Sequence, residues 1–276
     1  IEVPRIPVRD QLTDQIEAFV LRFKDHPATI GWYTADEPSL NNWSVQALVN
    51  ANKTIKKHSK KPVFIVFAMS EIYGRHAHAF APAYDVLMVD SYPYTVGSPE
   101  MSHANWRDMM GDVNRVAREL NKPWWNVLQA IGQVPSRPGG RVWRYRLPTY
   151  NEVQFQLYCS LFNNAQGVLY WTYYRTLETL ASPDQPYPGN GSEWFNEVYL
   201  PSMQQVDLIS DALNVGKLVR GIQGAPQKLQ VRLYEDVIPG QYVLILLNNQ
   251  DVPASATLTL PRELQPLQRI DTSLGP

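Results

Sequence analysis

The side chains best suited to acid, base or recognition chemistry recur just after short apolar runs. Asp36 and Glu37 follow Thr29 to Ala35, and Ala68 to Glu71 follow Pro62 to Phe67. Asp90, Tyr92 and Tyr94 follow Val86 to Val89, Gln129 follows Trp124 to Leu128, and Trp171, Tyr173 and Tyr174 come at and after the end of Val168 to Thr172. Carboxylates among aromatics suit glycan chemistry: the apolar faces of sugar rings stack on Trp and Tyr, and their hydroxyls take Asp, Glu, Asn and Gln as partners. A carboxylic acid with a raised pKa protonates a leaving glycosidic oxygen, and a second carboxylate attacks or activates water. Two such groups stand about 5 to 5.5 Å apart in retaining enzymes and roughly 6.5 to 9.5 Å apart in inverting ones. The sequence has no Gly-rich phosphate loop, no Gly-x-Ser-x-Gly turn and no metal-spaced His cluster, so neither a cofactor nor a metal is expected.

Those residues must be held by alternating strands and helices. Asp10 to Lys24 put Leu12, Ile16, Phe19, Val20 and Phe23 on one helical face, with Asp10 as N-cap. The strand Thr29 to Ala35 leads to a helix over Ser39 to Ser59, whose last turn carries Lys56-Lys57-His58 against the negative helix end. Strands over Pro62 to Phe67, Val86 to Asp90, Trp124 to Leu128 and Val168 to Thr172 follow, with helices over Asn105 to Leu120, about Thr149 to Asn163 and about Trp194 to Leu213. The near-continuous apolar character of Val63 to Phe67 and Val86 to Val89 predicts a parallel sheet buried on both faces. After Leu218 the period drops to two, over Leu229 to Tyr234, Tyr242 to Leu247 and Ala256 to Leu260, which predicts antiparallel β structure.

The balance of 25 Lys+Arg against 26 Asp+Glu in 276 residues gives no general pull toward nucleic acid. The longest apolar runs fall far below the about 20 residues of a membrane-spanning helix. The single cysteine, Cys159, forms no internal disulfide and is assigned to a helix core.

His26-Pro27-Ala28 followed by Gly31-Trp32-Tyr33-Thr34-Ala35-Asp36-Glu37-Pro38 resembles the fourth strand of (β/α)8-barrel glycoside hydrolases of the clan A type. Asp85 to Tyr94 is similar to strand six of such a barrel, Lys122 to Gln129 to strand seven, and Gly167 to Tyr174 to strand eight, so the likeness runs from about Asp10 to Leu213. It implies an α/β fold, a TIM-type barrel of which this chain holds strands four to eight, spanning residues 1–217, with residues 218–276 as a small β-sandwich-like tail. It also implies O-glycoside hydrolysis with Glu37 as general acid/base, Asp36 and Asp90 as further catalytic carboxylates, and Trp32, Tyr92, Tyr94, Gln129, Trp171 and Tyr173 as substrate-binding residues. A carbohydrate substrate would fit an extracellular or periplasmic setting. Too little chain precedes Asp10 for strands one to three, so an additional N-terminal segment or a second chain is expected to complete the barrel.

Where the family carries its nucleophilic Glu on strand seven, this chain has Gln129, followed by Ala130 and Ile131. The second carboxyl group is then Asp36, Asp90 or Glu71, or the substrate supplies its own acetamido nucleophile, as in the substrate-assisted hexosaminidases that the Asp36-Glu37 step also resembles. A different class of reading is an inactive hydrolase-like barrel that binds glycans or acts in assembly. Each residue also has a purely structural reading. Asp36-Glu37-Pro38 is good helix-start chemistry, Asp90 can bond the backbone of the following loop, and Gln129 can brace a loop. His76, His78 and His103 could touch a metal, and Arg137, Arg141, Arg144 and Arg146 could grip an acidic sugar or coat a solvated loop.

Overall fold

The computed structural model describes residues 13–96, 100–132, 145–220, 222–226, 228–250 and 252–261. Asp10, Leu12, residues 1–9 and the loop that holds Arg137, Arg141 and Arg144 lie outside the described residues. The elements run α1 (Thr13–Phe23), β1 (Trp32–Asp36), α2 (Val45–His58), β2 (Val63–Ala68), the short helices α3 (Met69–Tyr73) and α4 (His76–Ala79), β3 (Val86–Asp90), α5 (His103–Glu119), β4 (Trp124–Gln129), α6 (Tyr150–Phe162) and β5 (Gly167–Trp171). Helices α7 (Tyr173–Leu177), α8 (Gly191–Trp194), α9 (Leu200–Leu208) and α10 (Ser210–Asn214) follow, then β6 (Lys217–Val219), β7 (Leu229–Glu235) and β8 (Tyr242–Asn248). The described residues form two compact units, the first from those within 1–91, 109–128 and 163–169 and the second from those within 92–108, 129–162 and 170–276.

Strands β1 to β5 lie side by side in chain order, and β1 to β4 pair in parallel. At the β4–β5 step, Gln166 N donates to Trp124 O at the strand starts and Ala130 N to Trp171 O at their ends, so β5 runs the same way. This is consistent with part of a (β/α)8 barrel. In the first unit one sheet face packs on helices. Trp32, Val20, Ile55 and Val63 form a core with Ile16, Phe19 and Phe23 of α1 against it. Helix α2 contributes Leu48 and Ile55, seven residues apart and hence on one face, and Ser44 caps its start by accepting from Ala47 N at 3.4 Å.

The other face is concave. Phe64 of β2 and Trp125 of β4 stand on strands two spacings apart, about 9.5 Å in a flat sheet, yet their ring centroids are 5.0 Å apart. The two rings thus lean toward each other over the intervening strand β3. Glycine at the strand starts makes room for the rings: a Cβ on Gly167 would lie 2.5 Å from indole carbons of Trp125, and one on Gly31 would run into the Phe64 ring. Aromatic bulk thus fills the N-terminal end of the concave face, and the C-terminal end carries Asp36 and Asp90.

In the second unit Arg232 of β7 reaches the end of α6, where its guanidinium donates to Leu161 O at 3.1 Å and to Phe162 O at 2.5 Å and lies 4.7 Å from the Phe162 ring. A cation on orphan C-terminal carbonyls is favourable in both hydrogen bonding and dipole. The helical stretch from Gly191 is not uniform. Phe195–Tyr199 is a π-helical turn in which Leu200 N bonds Phe195 O, five residues back. Pro201 explains it, since a proline ring clashes with the carbonyl four residues earlier and offers no N–H to it, and a wider turn relieves both. Strands β6, β7 and β8 form one antiparallel three-stranded sheet. Gly240 between β7 and β8 takes φ +83, which favours glycine. Of the expected strand over Ala256 to Leu260, only a bridge between Gln223 and Thr259 forms.

Candidate active site

In the first unit, a bulge between Tyr33 and Ala35 inserts one residue into β1 relative to β2, pairing Tyr33 with Phe64 and Asp36 with Val66. Without it Tyr33 and Asp36, three apart, would point to opposite faces. With it they share the concave face, and the Tyr33 hydroxyl donates to Asp36 Oδ1 at 2.8 Å. Glu37 comes next with φ +43, the left-handed region that non-glycine residues seldom adopt, and it precedes a proline, which disfavours helical conformations further. Its backbone is held on both sides, with Glu37 N donating to Val66 O at 2.8 Å and Asn41 N to Glu37 O at 2.9 Å. Asp90 ends β3 in register with Ala68 and Val127, hence on the same face as Asp36. Asp36, Glu37 and Asp90 are all half-buried.

Glu71, another candidate for the second carboxyl group, is 1 % exposed. One oxygen accepts from Ala68 N at 2.9 Å and the other from Ser39 N at 2.6 Å, so it ties the end of β2 to the turn after β1. The Ser39 hydroxyl in turn contacts His76 Nδ1.

In the second unit Gln129 is fully buried. Its Oε1 accepts from Tyr94 N at 3.0 Å, and Nε2 donates to the carbonyls of Tyr94 and Arg146 at 2.8 Å and of Ile131 at 3.3 Å. The amide is spent on the main chain of three segments, the arrangement of a loop brace. Tyr94, expected to bind substrate, is 2 % exposed. Burial first, and then the negative Glu152, hold its hydroxyl well above the usual phenol range. Arg146 lies 4.8 Å from the Tyr94 ring and grips Glu100 (2.5 and 2.8 Å) and Glu152 (2.8 and 2.6 Å) through both edges of its fork. Burial opposes its charge, but hydrogen bonds to Glu152 and Glu100 outweigh it, and its pKa is raised. Arg146 is therefore neither a solvated loop arginine nor free to grip a sugar.

Trp32, also expected at the substrate, sits on the helix-facing side of β1, 1 % exposed, with its Nε1 donating to Ser59 Oγ at 2.9 Å. It is a core residue because it opens the strand before the bulge and packs on α1. Tyr92 is half-buried against Tyr145, with centroids 5.5 Å apart, and Trp171 is half-buried at the end of β5. Tyr173 is largely exposed, edge-on to Phe195 at 5.3 Å.

Glu100 and Glu152 were not singled out in the sequence, although Thr149-x-x-Glu152 is a capping-box spacing: Glu152 accepts from Thr149 N at 2.7 Å, and Glu152 N donates back to Thr149 Oγ1 at 3.4 Å. His78 pairs with Glu119 at 3.0 Å, and His103 stacks on Phe155 at 4.0 Å. Among the described residues no group of three or more His, Cys, Asp or Glu side chains could hold a metal ion.

No protein-family model matches the chain, and no curated protein matches it. Solved structures do. A β-glucuronidase from Ruminococcus gnavus aligns over 58% of this chain and 28% of its own, at 16% identity and a TM-score of 0.41. A structure described as a putative α-L-fucosidase from Bacteroides thetaiotaomicron aligns over 71% of this chain and 59% of its own, at 9% identity and a TM-score of 0.46. The chain thus spans under a third of the first structure and under two thirds of the second. Among the described residues no helix is long and apolar enough to cross a membrane.

Proposed function

We propose that this chain forms the acid-bearing part of a glycoside hydrolase that cleaves O-glycosidic bonds, with Glu37 as general acid/base. The observation that carries the reading is the placement of Asp36, Glu37 and Asp90 at the C-terminal ends of β1 and β3, where parallel α/β folds gather their reactive groups. Glu37 is half-buried, and its backbone is held in an uncommon conformation, as functional side chains often are. Asp36, fixed by the Tyr33 hydroxyl, supplies negative charge beside the developing oxocarbenium ion. Asp90 is the proposed partner carboxylate. It lies two strands from β1, so its backbone is about 10 Å from that of Glu37 by strand spacing. Within the second unit taken by itself, Tyr92 and Trp171 are half-buried and Tyr173 is exposed, and all three are proposed to stack on a sugar. The substrate is a carbohydrate.

The test is hydrolysis of a panel of aryl and natural glycosides by the chain and by Glu37→Gln. Turnover that falls about 10²- to 10⁴-fold in the variant, with little change in substrate affinity, is expected. Unchanged kcat would refute the acid assignment. The lack of a carboxylate at the strand-seven position, where Gln129 stands, favours a second reading, a glycan-binding module without turnover. Saturable glycan binding with no hydrolysis of any panel member would select it.

A further inference from the structure

We infer that Glu71 is a positioning residue for Glu37, a role that rests on the reading of Glu37 as the acid. The turn Glu37-Pro38-Ser39 leaves β1 in a conformation that its own sequence disfavours, with a left-handed glutamate directly before a proline. Such a backbone persists only where its surroundings over-determine it. Local bonds supply part of the restraint, from Asn41 N to Glu37 O, from Trp43 N to Pro38 O and from Asn41 Nδ2 to Asp36 O. Two restraints come from outside the turn, the bond from Glu37 N to Val66 O of β2 and the carboxylate of Glu71 in α3. Its buried carboxylate accepts Ser39 N with one oxygen and Ala68 N with the other, fixing the turn to the end of β2. Here each backbone donor has its own oxygen, and glutamine at this position would turn an NH2 toward one of the two amides. A contact between the Ser39 hydroxyl and His76 holds the same residue from α4. The role is thus to aim Glu37, not to exchange protons with substrate.

Amide hydrogen exchange tests the clamp without any substrate. Ser39 N–H should be protected in the wild type, and in Glu71→Gln its protection should fall about tenfold or more, along with that of residues 41–43, while Phe64 to Phe67 stay unchanged. Glu71→Asp keeps both oxygens on a shorter stem and should show an intermediate loss, which covers the case in which the amide variant does not fold. In kinetics, Glu71→Gln should lower kcat by about 10²-fold on natural glycosides, which need the acid, and by less than about threefold on aryl glycosides with good leaving groups. General loss of structure would lower both alike. An unprotected Ser39 amide in the wild type, unchanged protection in Glu71→Gln, or equal losses on both substrate types would overturn the inference. Glu37→Gln assayed alongside separates the two ideas: if it shows no leaving-group dependence the acid assignment fails, and the exchange data still decide whether Glu71 holds the turn.

Discussion

Replacing Gln129 with Glu introduces a carboxyl group at the position where the barrels this sequence resembles carry a nucleophile, and the structure predicts that it disturbs the fold locally rather than creating a reaction. In the wild type Nε2 faces three carbonyl oxygens, those of Tyr94, Ile131 and Arg146, within 3.3 Å. A neutral carboxyl can donate one hydrogen there, so at least one of these bonds is lost at a cost of about 1 to 3 kcal/mol. An ionised one would set a negative oxygen among acceptors in a fully buried site. The introduced carboxyl therefore favours its neutral form, and its pKa in the folded chain lies above the about 4.3 of the unfolded one. For a carboxyl raised in this way the folded state binds the extra proton. The added destabilisation is absent below about pH 4.3 and grows by about 1.4 kcal/mol per pH unit until the folded pKa is passed, reaching at most about 3.7 kcal/mol at pH 7. Thermal melts of wild type and variant at pH 4.5 and pH 7 measure this. With about 2 to 4 °C per kcal/mol for a chain near this size, the variant should melt on the order of 10 °C lower at pH 7 and only a few degrees lower at pH 4.5. A pH-independent difference, a loss under about 1 kcal/mol at pH 7, or a gain of retaining hydrolysis would refute the reasoning.

Substitutions around Gly167 and at Arg146 probe the two units. Gly167→Ala should cost about 1 to 3 kcal/mol, because the new Cβ meets the Trp125 indole at 2.5 Å, and adding Trp125→Leu should recover part of that loss in denaturant melts. Arg146→Met should cost about 3 kcal/mol at neutral pH by leaving Glu100 and Glu152 together without their cation, and Arg146→Lys should not restore it, since a single ammonium cannot bond two carboxylates along two edges. Urea denaturation of the three proteins decides it, and equal stability of the Lys variant and wild type would contradict the fork geometry.

The strands were legible because their apolar runs are short, dense and bounded by turn residues, and Val86–Asp90 lies where the pattern puts it. The first strand starts later than its composition predicts: Ile30 is 64 % exposed and Gly31 is needed for the Phe64 ring, so ladder pairing begins at Trp32. The long final helix is divided because a single proline acts through the carbonyl four residues back, which a periodicity count does not register. Within the candidate site, the acidic residues at strand ends could be read directly, but side-chain facing could not. The bulge after Tyr33 has no composition signal, and it decides that Asp36 faces Tyr33 while Trp32 joins the helices. Gln129 ends β4, and Tyr94 and Glu71 come a few residues after β3 and β2, yet their roles depend on which loops cover them, a matter of contacts between residues 17 to 35 apart in the case of Gln129.

The most direct test of the central claim is a leaving-group series with Glu37→Gln. Aryl glycosides whose phenols span several pKa units would be assayed with wild type and variant under steady-state conditions. If Glu37 protonates the departing oxygen, the wild type responds weakly to leaving-group pKa. The variant should then fall about 10²- to 10⁴-fold on the poorest leaving groups and approach wild-type rates on the best. Parallel lines for the two proteins, with the same dependence on leaving-group pKa, would contradict the assignment of Glu37 as the acid.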